Sequence, residues 1–276
     1  MLRTRVLSVI VLLPLVLLLA YLGGIPWLIT ILAAGLLAWL EMTGLLRRNS
    51  FAVYRWIGFL FVPLLIAAAY ARSAELFPMP GTRATGADIL PLLIVALVLV
   101  SLAQALFDRG EHPTTDWAMT VAGIVYLGFL LSTFVTLRER TEGFWWVLLA
   151  FSLTWIIDAS AYFVGRAFGR HKWWPRLSPK KTWEGLIGGS VAGIIAAPLL
   201  GIWWLHLNPY WGLLLGLLAV VAAPLGDLSV SLFKRMAQAK DSGNLIPGHG
   251  GILDRLDSLL FVFPVVTLFA LFAAGP

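Results

Sequence analysis

The residues of this chain that could do chemistry are concentrated between Ser231 and Ser258, in the sequence SLFKRMAQAKDSGNLIPGHGGILDRLDS. Its ionisable side chains, set between two apolar runs, are Lys234, Arg235, Lys240, Asp241, His249, Asp254, Arg255 and Asp257. The glycine-rich middle, SGNLIPGHGG, predicts a loop whose backbone can come close to a ligand. Asp254 and Asp257 are three residues apart, so a helix would place both carboxylates on one face. Charge beside lipid is costly unless a metal, a polyanion or mutual pairing compensates it, and the segment therefore predicts a catalytic site at a membrane surface.

Asp227 lies upstream of this segment, in the sequence APLGDLSVSLFKR, and precedes Lys234 by seven residues. Gly226 beside it permits close helix packing or the approach of a ligand. Together with Asp254 and Asp257, Asp227 predicts a site of oxygen ligands for a hard cation at one membrane level. Magnesium suits such a site because it keeps bound waters and shares the phosphates of a substrate. The alternative is an internal salt-bridge network between these acids and the neighbouring cations, Lys234, Arg235 and Arg255.

A second basic segment, GRHKWWPRLSPKKTWEGLIGG, ends at the start of another apolar run. Its cations could act only as determinants of membrane topology. The portion SPKKTWEG also offers a turn fixed by proline, the paired Lys180 and Lys181, and a hydroxyl on Ser178 or Thr182 that could cap the next helix. Backbone N–H groups at that helix start could bind an anion, so phosphate binding and topology remain equal alternatives.

Three further polar residues lie near apolar runs or within the glycine-rich loop. Asp158, close to the inner end of its run, is a candidate functional residue, with pairing to a nearby Arg or Lys as the alternative. Glu41, at the end of the second run, is interpreted as an interfacial residue. His249 has no second histidine nearby, which argues against zinc and favours a hydrogen bond to a phosphate or to a loop carbonyl.

The composition is that of a polytopic membrane protein. Of the 276 residues, 60% are hydrophobic and only 12% are charged, with a mean hydropathy of +0.89. Soluble domains are closer to half apolar and a quarter charged. The chain has no cysteine, which excludes disulfides and thiolate metal sites. The net charge of +6 does not indicate a nucleic-acid partner, because membrane proteins carry an excess of Lys and Arg in cytoplasmic loops.

The apolar runs predict an all-α fold of about nine transmembrane helices. They cover about residues 6–23, 26–40, 56–71, 89–107, 117–137, 144–164, 186–207, 210–233 and 256–274. A cytoplasmic N-terminus places all but four of the twenty Lys and Arg residues inside, and nine spans then leave the C-terminus outside. We expect an N-terminal membrane region of about five helices at 1–143. A catalytic membrane region of about four helices and two cytoplasmic loops would follow at 144–276.

These features favour phosphoryl or nucleotidyl transfer between a phosphorylated lipid and a phosphorylated soluble molecule. Such reactions need charge neutralisation and in-line positioning more than covalent help from the protein. The chain has no GxxxxGK[ST] or GxSxG motif, which argues against a P-loop enzyme and an acyl transferase. A transporter or flippase is an alternative, but it would carry polar residues near the midplane of several helices. A transferase acting on a polyprenyl or alcohol phosphate is another, although the DG-x2-AR pattern of CDP-alcohol phosphotransferases is absent.

The charged segments resemble a known family, the CDP-diacylglycerol synthases, also called phosphatidate cytidylyltransferases. Its signature reads S-x-[apolar]-K-R-x4-K-D-x-[small]-x2-[apolar]-[PG]-x-H-G-G-[apolar]-x-D-R-[apolar]-D. The residues that match in register are Ser231, Lys234, Arg235, Lys240, Asp241, Gly243, Ile246, Pro247, His249, Gly250, Gly251, Asp254, Arg255 and Asp257. SPKKTWEG, the Gly226–Asp227 pair and the pattern of Asp158, Ala161, Tyr162 and Gly165 are similar to the family as well. The resemblance covers roughly residues 158–258.

The resemblance implies a magnesium-dependent reaction of CTP with phosphatidate in the bilayer, giving CDP-diacylglycerol and diphosphate for phospholipid biosynthesis. It implies that Asp227 and Asp254, together with Asp257, hold the metal, and that a potassium ion can accompany magnesium. The implied phosphate ligands are Lys180, Lys181, Lys234, Arg235, Lys240 and Arg255, with Asp241 and His249 as supporting loop residues. The catalytic set is then Asp227, Lys234, Asp254 and Arg255. The family also implies a homodimer in the inner (plasma) membrane, with its active site facing the cytoplasm.

Overall fold

The computed structural model describes residues 2–73, 89–245 and 250–273, and most of these residues are helical. The helices are α1 (Leu2–Leu22), α2 (Gly24–Arg48), α3 (Arg55–Ser73), α4 (Ile89–Phe107), α5 (Pro113–Ile124), α6 (Leu130–Arg138), α7 (Gly143–Phe168), α8 (Trp183–Leu205), α9 (Pro209–Met236), α10 (Leu253–Leu256) and α11 (Leu259–Ala273). A π-helical turn, Val125–Phe129, joins α5 to α6. Two short strands, β1 (Lys172–Trp174) and β2 (Ser178–Thr182), precede α8.

The helices confirm the prediction of an all-α polytopic membrane protein. Among the described residues, seven are long and apolar enough to cross a bilayer: Gly24–Arg48, Arg55–Ser73, Ile89–Phe107, Pro113–Arg138, Gly143–Phe168, Trp183–Leu205 and Pro209–Met236. Two shorter apolar helices, Ile10–Leu22 and Leu259–Phe272, correspond to the first and last predicted runs. The total of nine spans and the orientation of the termini stay predictions.

The second and third helices are longer than the apolar runs that predict them. The run at 26–40 stops before Glu41, but α2 continues through this acid to Arg48. Arg47 and Arg48 lie in the last turn, where positive charge interacts favourably with the helix dipole. Glu41 is therefore an internal residue of α2 and does not mark its end.

The described helices pack into two compact units. The first comprises Met1–Arg140 and Phe233–Asp254, and the second comprises Thr141–Leu232 and Arg255–Pro276. The first boundary lies close to the one expected at 143/144, whereas residues 233–254 pack with the N-terminal helices. The division into an N-terminal membrane region at 1–143 and a catalytic membrane region at 144–276 stays a prediction.

Within the first unit, α3 packs against α2, α4, α6 and the π-helical turn. The fully buried indole of Trp39, on α2, lies directly against Gly58 on α3, where any side chain would collide with the ring. The same indole donates a hydrogen bond from Nε1 to the carbonyl of Arg55, at 2.9 Å. This contact fixes α2 two residues before Glu41.

Within the second unit, a row of glycines on α8 brings its backbone against α7. A Cβ atom on Gly185 would lie 2.7 Å from the carbonyl oxygen of Ala161, and one on Gly189 would lie 2.8 Å from that of Ile157. Small residues four apart permit this close approach of membrane helices. The seam sets the part of α7 that carries Asp158 beside the N-terminal half of α8.

The first five residues of the SPKKTWEG segment, Ser178–Thr182, form one strand of an antiparallel hairpin, and the last three begin α8. Strand β1 pairs with β2, with Lys172 opposite Thr182 and Trp174 opposite Ser178. Thr182 then caps α8, since its hydroxyl accepts a hydrogen bond from Gly185 N at 3.2 Å, which confirms one of the two predicted caps. His171, at the start of the hairpin, lies with Nδ1 2.6 Å from the carboxylate of Glu184 in the first turn of α8.

Candidate active site

The second compact unit contains an ion pair between Lys181, on β2, and Asp227, on α9. Lys181 Nζ lies 2.7 Å from Asp227 Oδ2, and the side chains are 24% and 30% exposed. The other carboxylate oxygen of Asp227 accepts a hydrogen bond from Ser231 Oγ one turn later, at 3.3 Å. The ammonium of Lys181 also lies 5.8 Å from the ring centre of Trp173, within range of a cation–π interaction. Both members of the pair therefore have fixed positions while remaining accessible.

A third ionisable residue, Asp158 on α7, interacts with this pair. Its carboxylate is hydrogen-bonded to the side chain of Ser258 and interacts electrostatically with both Asp227 and Lys181. The ammonium of Lys181 thus interacts with two carboxylates. We call this group the Lys181 cluster: Asp158, Lys181, Asp227 and Ser258. Lys181, in the predicted phosphate-binding segment, is thus the cation near Asp158, although Asp158 forms none of the ion pairs found among the described residues. Its functional role stays a prediction.

Gly226 explains how α9 reaches the Asp257–Ser258 backbone. A Cβ atom on Gly226 would lie 2.5 Å from the carbonyl oxygen of Asp257 and 3.0 Å from Ser258 Cα. Only glycine allows this approach, so the close helix packing predicted for Gly226 is confirmed. The carboxylate of Asp257 accepts a hydrogen bond from Ser258 N at 2.8 Å. The structure thus places the backbone of Asp257 beside the residue that precedes Asp227.

The first compact unit contains a second ion pair, between Lys234 and Asp254. Lys234 Nζ lies 2.6 Å from Asp254 Oδ1, and the side chains are only 12% and 7% exposed. The other oxygen, Oδ2, accepts hydrogen bonds from Ser242 N at 2.8 Å, Ser242 Oγ at 2.9 Å and Gly251 N at 3.1 Å. We call these residues the Asp254 cluster: Lys234, Ser242, Gly251 and Asp254.

These contacts keep Asp254 ionised. Burial by itself raises the pKa of this carboxyl group, but the hydrogen bonds from Lys234, Ser242 and Gly251 outweigh burial and hold the pKa below its usual value. The carboxylate is therefore a charged acceptor at neutral pH, as either a metal ligand or an ion-pair partner must be.

The carboxylate oxygens of the predicted metal ligands fit magnesium, although two of these aspartates form ion pairs with lysines in the structure. Asp227, Asp254 and Asp257 offer hard carboxylate oxygens, and magnesium needs only one or two of these because waters and substrate phosphates complete its coordination. Within residues 2–73, 89–245 and 250–273, no group of three or more His, Cys, Asp or Glu side chains is arranged to hold a metal. The salt-bridge alternative is seen at Lys234, while Asp227 pairs with Lys181. Metal binding at these aspartates stays a prediction.

The remaining predicted phosphate ligands lie at the surface. The exposed ones are Lys180, Arg235, Lys240 and Arg255, and Asp241 is exposed as well. Arg235 donates a hydrogen bond from Nη1 to the carbonyl of Ala239, at 3.2 Å, which closes the turn after α9. His249 lies outside the described residues. The roles of these exposed cations as phosphate ligands stay predictions.

Sequence reasoning missed Glu41, which it interpreted as an interfacial residue. The carboxylate of Glu41 accepts hydrogen bonds from Ile252 N and Leu253 N, each at 2.9 Å, and from Ser242 Oγ at 2.8 Å. The only signal in the sequence is a lone acid inside an apolar helix, and its partners are about 200 residues away. Glu41, on α2, thus binds Ser242 and the backbone at the start of α10, the helix that carries Asp254.

Glu41 also changes the interpretation of two glycines in the signature. A side chain on Gly251 would collide with the Glu41 carboxylate and with Ser242 Oγ, and a Cβ atom on Gly243 would lie 2.8 Å from Glu41 Oε1. These positions were interpreted as room for a ligand. In the structure they make room for the carboxylate of Glu41.

The fold and these ionisable clusters define a polytopic helical membrane enzyme. The chain belongs to the cytidylyltransferase family, whose model matches residues 3–273. It is similar to the phosphatidate cytidylyltransferases of Staphylococcus epidermidis (33% identity over 267 residues) and Staphylococcus aureus (33% over 268), and to that of Staphylococcus saprophyticus (35% over 269). Each alignment covers 96% of both chains. The protein is therefore a nucleotidyltransferase, and its resemblance to this family is confirmed.

Proposed function

We propose that this protein is a phosphatidate cytidylyltransferase, which converts CTP and phosphatidate into CDP-diacylglycerol and diphosphate in phospholipid biosynthesis. The observation that carries the proposal is the match to relatives of that name over 96% of both chains. The family match at residues 3–273 contains the signature residues, among them the pair of Lys234 and Asp254, and it also contains the pair of Lys181 and Asp227.

The reaction that we propose is an in-line displacement at phosphorus. An oxygen of the phosphatidate phosphate forms a bond to the α-phosphorus of CTP. The bond from that phosphorus to the oxygen bridging to the β-phosphate breaks, and diphosphate leaves with the electron pair. The attacking phosphate is already anionic, so a strong general base is not required.

The charged residues of the chain supply binding and neutralisation. Lys181 and Lys234 present ammonium groups within 2.7 Å of Asp227 and Asp254, so phosphate oxygens can replace the carboxylates as acceptors of the same N–H donors. Asp227 and Asp254, with Asp257, would hold magnesium, which would neutralise the triphosphate and the departing diphosphate when bound. The exposed cations Lys180, Arg235, Lys240 and Arg255 would attract the substrates to the surface.

We further propose the setting in which the enzyme works. The excess of Lys and Arg in alternate loops supports a catalytic face on the cytoplasmic side of the inner (plasma) membrane. Phosphatidate would then enter from the bilayer and CTP from the cytoplasm. Because of the family resemblance, we also propose that the enzyme is a homodimer and that a potassium ion binds beside magnesium.

Release of diphosphate tests the proposal. Purified protein in detergent should release diphosphate from CTP only when phosphatidate and magnesium are both supplied. Replacing CTP with ATP, GTP or UTP should abolish the release. Folded protein that releases none with CTP, or that accepts the four nucleotides equally, would contradict the proposed function.

A further inference from the structure

Glu41 connects a membrane helix to the loop that carries Asp254. Three hydrogen-bond donors converge on its carboxylate: Ile252 N, Leu253 N and the hydroxyl of Ser242. All three belong to the segment on either side of the glycine-rich loop, whereas Glu41 belongs to α2. The carboxylate thus holds the two arms of the loop, at Ser242 and at Ile252–Leu253, at a fixed separation.

Ser242 contacts both Glu41 and Asp254, so the position of Glu41 also constrains Asp254. Its hydroxyl oxygen lies 2.8 Å from Glu41 Oε2 and 2.9 Å from Asp254 Oδ2. A serine hydroxyl carries one proton, so the two carboxylates share a single donor. The orientation of Asp254 therefore depends on the position of Glu41, because the hydroxyl between them cannot satisfy one carboxylate independently of the other.

The charge of Glu41 is compensated by neutral donors. The ion pairs found in the described part of the chain do not include Glu41. A half-buried carboxylate without a cation is costly in an apolar helix unless hydrogen bonds to it are kept. The donors are Ser242, Ile252 and Leu253, and the contact of Trp39 with Gly58 fixes the part of α2 next to Glu41.

We propose that Glu41 is a positioning residue for the reaction. It holds Ser242 and Ile252–Leu253 against α2 and, through Ser242, orients the Asp254 carboxylate. This proposal rests on the proposed function for the reaction that Asp254 serves. Glu41 itself contacts neither the substrates nor the metal in this role. Through Ser242, Glu41 fixes the position of Asp254 Oδ2, while Lys234 binds Oδ1.

The test compares Glu41→Gln with Glu139→Gln. Glutamine keeps the size of Glu41, but its NH₂ group cannot accept hydrogen bonds from Leu253 N and Ser242 Oγ. Glu139 is a matched control, since its carboxylate also accepts a backbone hydrogen bond in the same unit, from Gly24 N at 3.1 Å. Gly24 begins α2 and lies about 25 Å along the helix from Glu41.

Two measurements are made on the full-length protein in detergent. Hydrogen exchange of the peptide covering 250–256 should become at least about tenfold faster in Glu41→Gln and stay unchanged in Glu139→Gln. The magnesium concentration for half-maximal activity should rise by about 10- to 100-fold in Glu41→Gln alone, as expected when a residue that orients a metal ligand is lost. A purely structural role would lower the unfolding temperature and the folded yield without shifting the magnesium dependence of the folded enzyme.

Ser242→Ala provides a second variant, should Glu41→Gln fail to fold. It keeps the backbone contacts of Glu41 and removes only the shared hydroxyl, so the magnesium dependence should shift while exchange at 250–256 changes little. An unchanged magnesium dependence in either folded variant overturns the proposal. Unchanged hydrogen exchange at 250–256 in Glu41→Gln overturns the proposal as well, and this measurement does not depend on enzyme activity. If wild-type protein converts no CTP, the proposed function fails, and the exchange experiment still decides whether Glu41 holds the loop.

Discussion

Lys181 Nζ and Asp227 Oδ2 are 2.7 Å apart and join the hairpin before α8 to the C-terminal half of α9. The two residues are 46 positions apart in the sequence and belong to motifs that the sequence presents separately. Their pairing means that a predicted phosphate ligand and a predicted metal ligand occupy one cluster. Substrate binding and metal binding at this cluster are therefore expected to depend on each other.

Replacing Asp227 with asparagine should abolish activity. The amide removes the charge that both Lys181 and a bound cation require, so we expect a loss of about 100-fold or more in kcat. Diphosphate release and the unfolding temperature in detergent measure the effect. Glu111→Gln, which neutralises an exposed carboxylate in the first unit, is the control and should keep full activity. Turnover in Asp227→Asn close to wild type would remove this residue from the site.

Replacing Lys181 with glutamine should weaken the use of CTP. A hydrogen bond to a charged group contributes about 1.5–3 kcal/mol, which corresponds to a fall of about 10- to 150-fold in kcat/KM. Lys172→Gln removes a charge from the exposed strand opposite and should change kcat/KM less than twofold. Equal losses in the two variants would mean that Lys181 acts only through the general charge of the hairpin.

Replacing Gly226 with alanine should destabilise the fold. The new methyl group would lie 2.5 Å from a backbone oxygen, Asp257 O, which cannot rotate away. We expect a loss of about 1–3 kcal/mol in the free energy of unfolding, with lower activity in the folded fraction. Gly44→Ala is the control, because its Cβ would meet nothing within 4 Å and alanine favours the helix by up to about 1 kcal/mol. Equal stability of the two variants would refute the close contact between α9 and Asp257.

The Asp254 cluster should lose stability in acid. The pKa of Asp254 is lower in the folded protein than its ordinary value of 3.8, so the unfolded chain binds the proton more tightly. The stabilisation from this carboxylate is fully present above the unfolded pKa and is lost as the pH falls through the lower, folded pKa.

The comparison of wild type with Asp254→Asn measures this stabilisation. The difference between their unfolding temperatures in detergent should be constant from about pH 6 to pH 5 and should shrink below pH 4. A difference that grows in acid would mean that the pKa of Asp254 is raised on folding.

The sequence predicted much of the fold because lipid imposes long apolar helices, which composition reveals directly. It also offered Thr182 as one of two caps for α8 and close packing as one of two roles for Gly226, and the structure shows both. It did not predict the hairpin, since Pro179 and the charged strand residues do not alternate between apolar and polar side chains. Glu41 was missed for a different reason. Its partners, Ser242, Ile252 and Leu253, follow it by about 200 residues, and they meet Glu41 only because both segments pack in the first unit.

Transfer of CMP from CTP to phosphatidate is measured most directly with a labelled nucleotide. Folded protein is incubated with CTP labelled in the cytosine ring, phosphatidate and magnesium, and the lipid phase is then extracted and analysed by mass spectrometry. The account predicts that the label appears in the lipid phase as CDP-diacylglycerol, with one diphosphate released for each molecule formed, and that none appears when diacylglycerol replaces phosphatidate. Label that stays in the aqueous phase, or that enters the lipid phase with diacylglycerol, would contradict it.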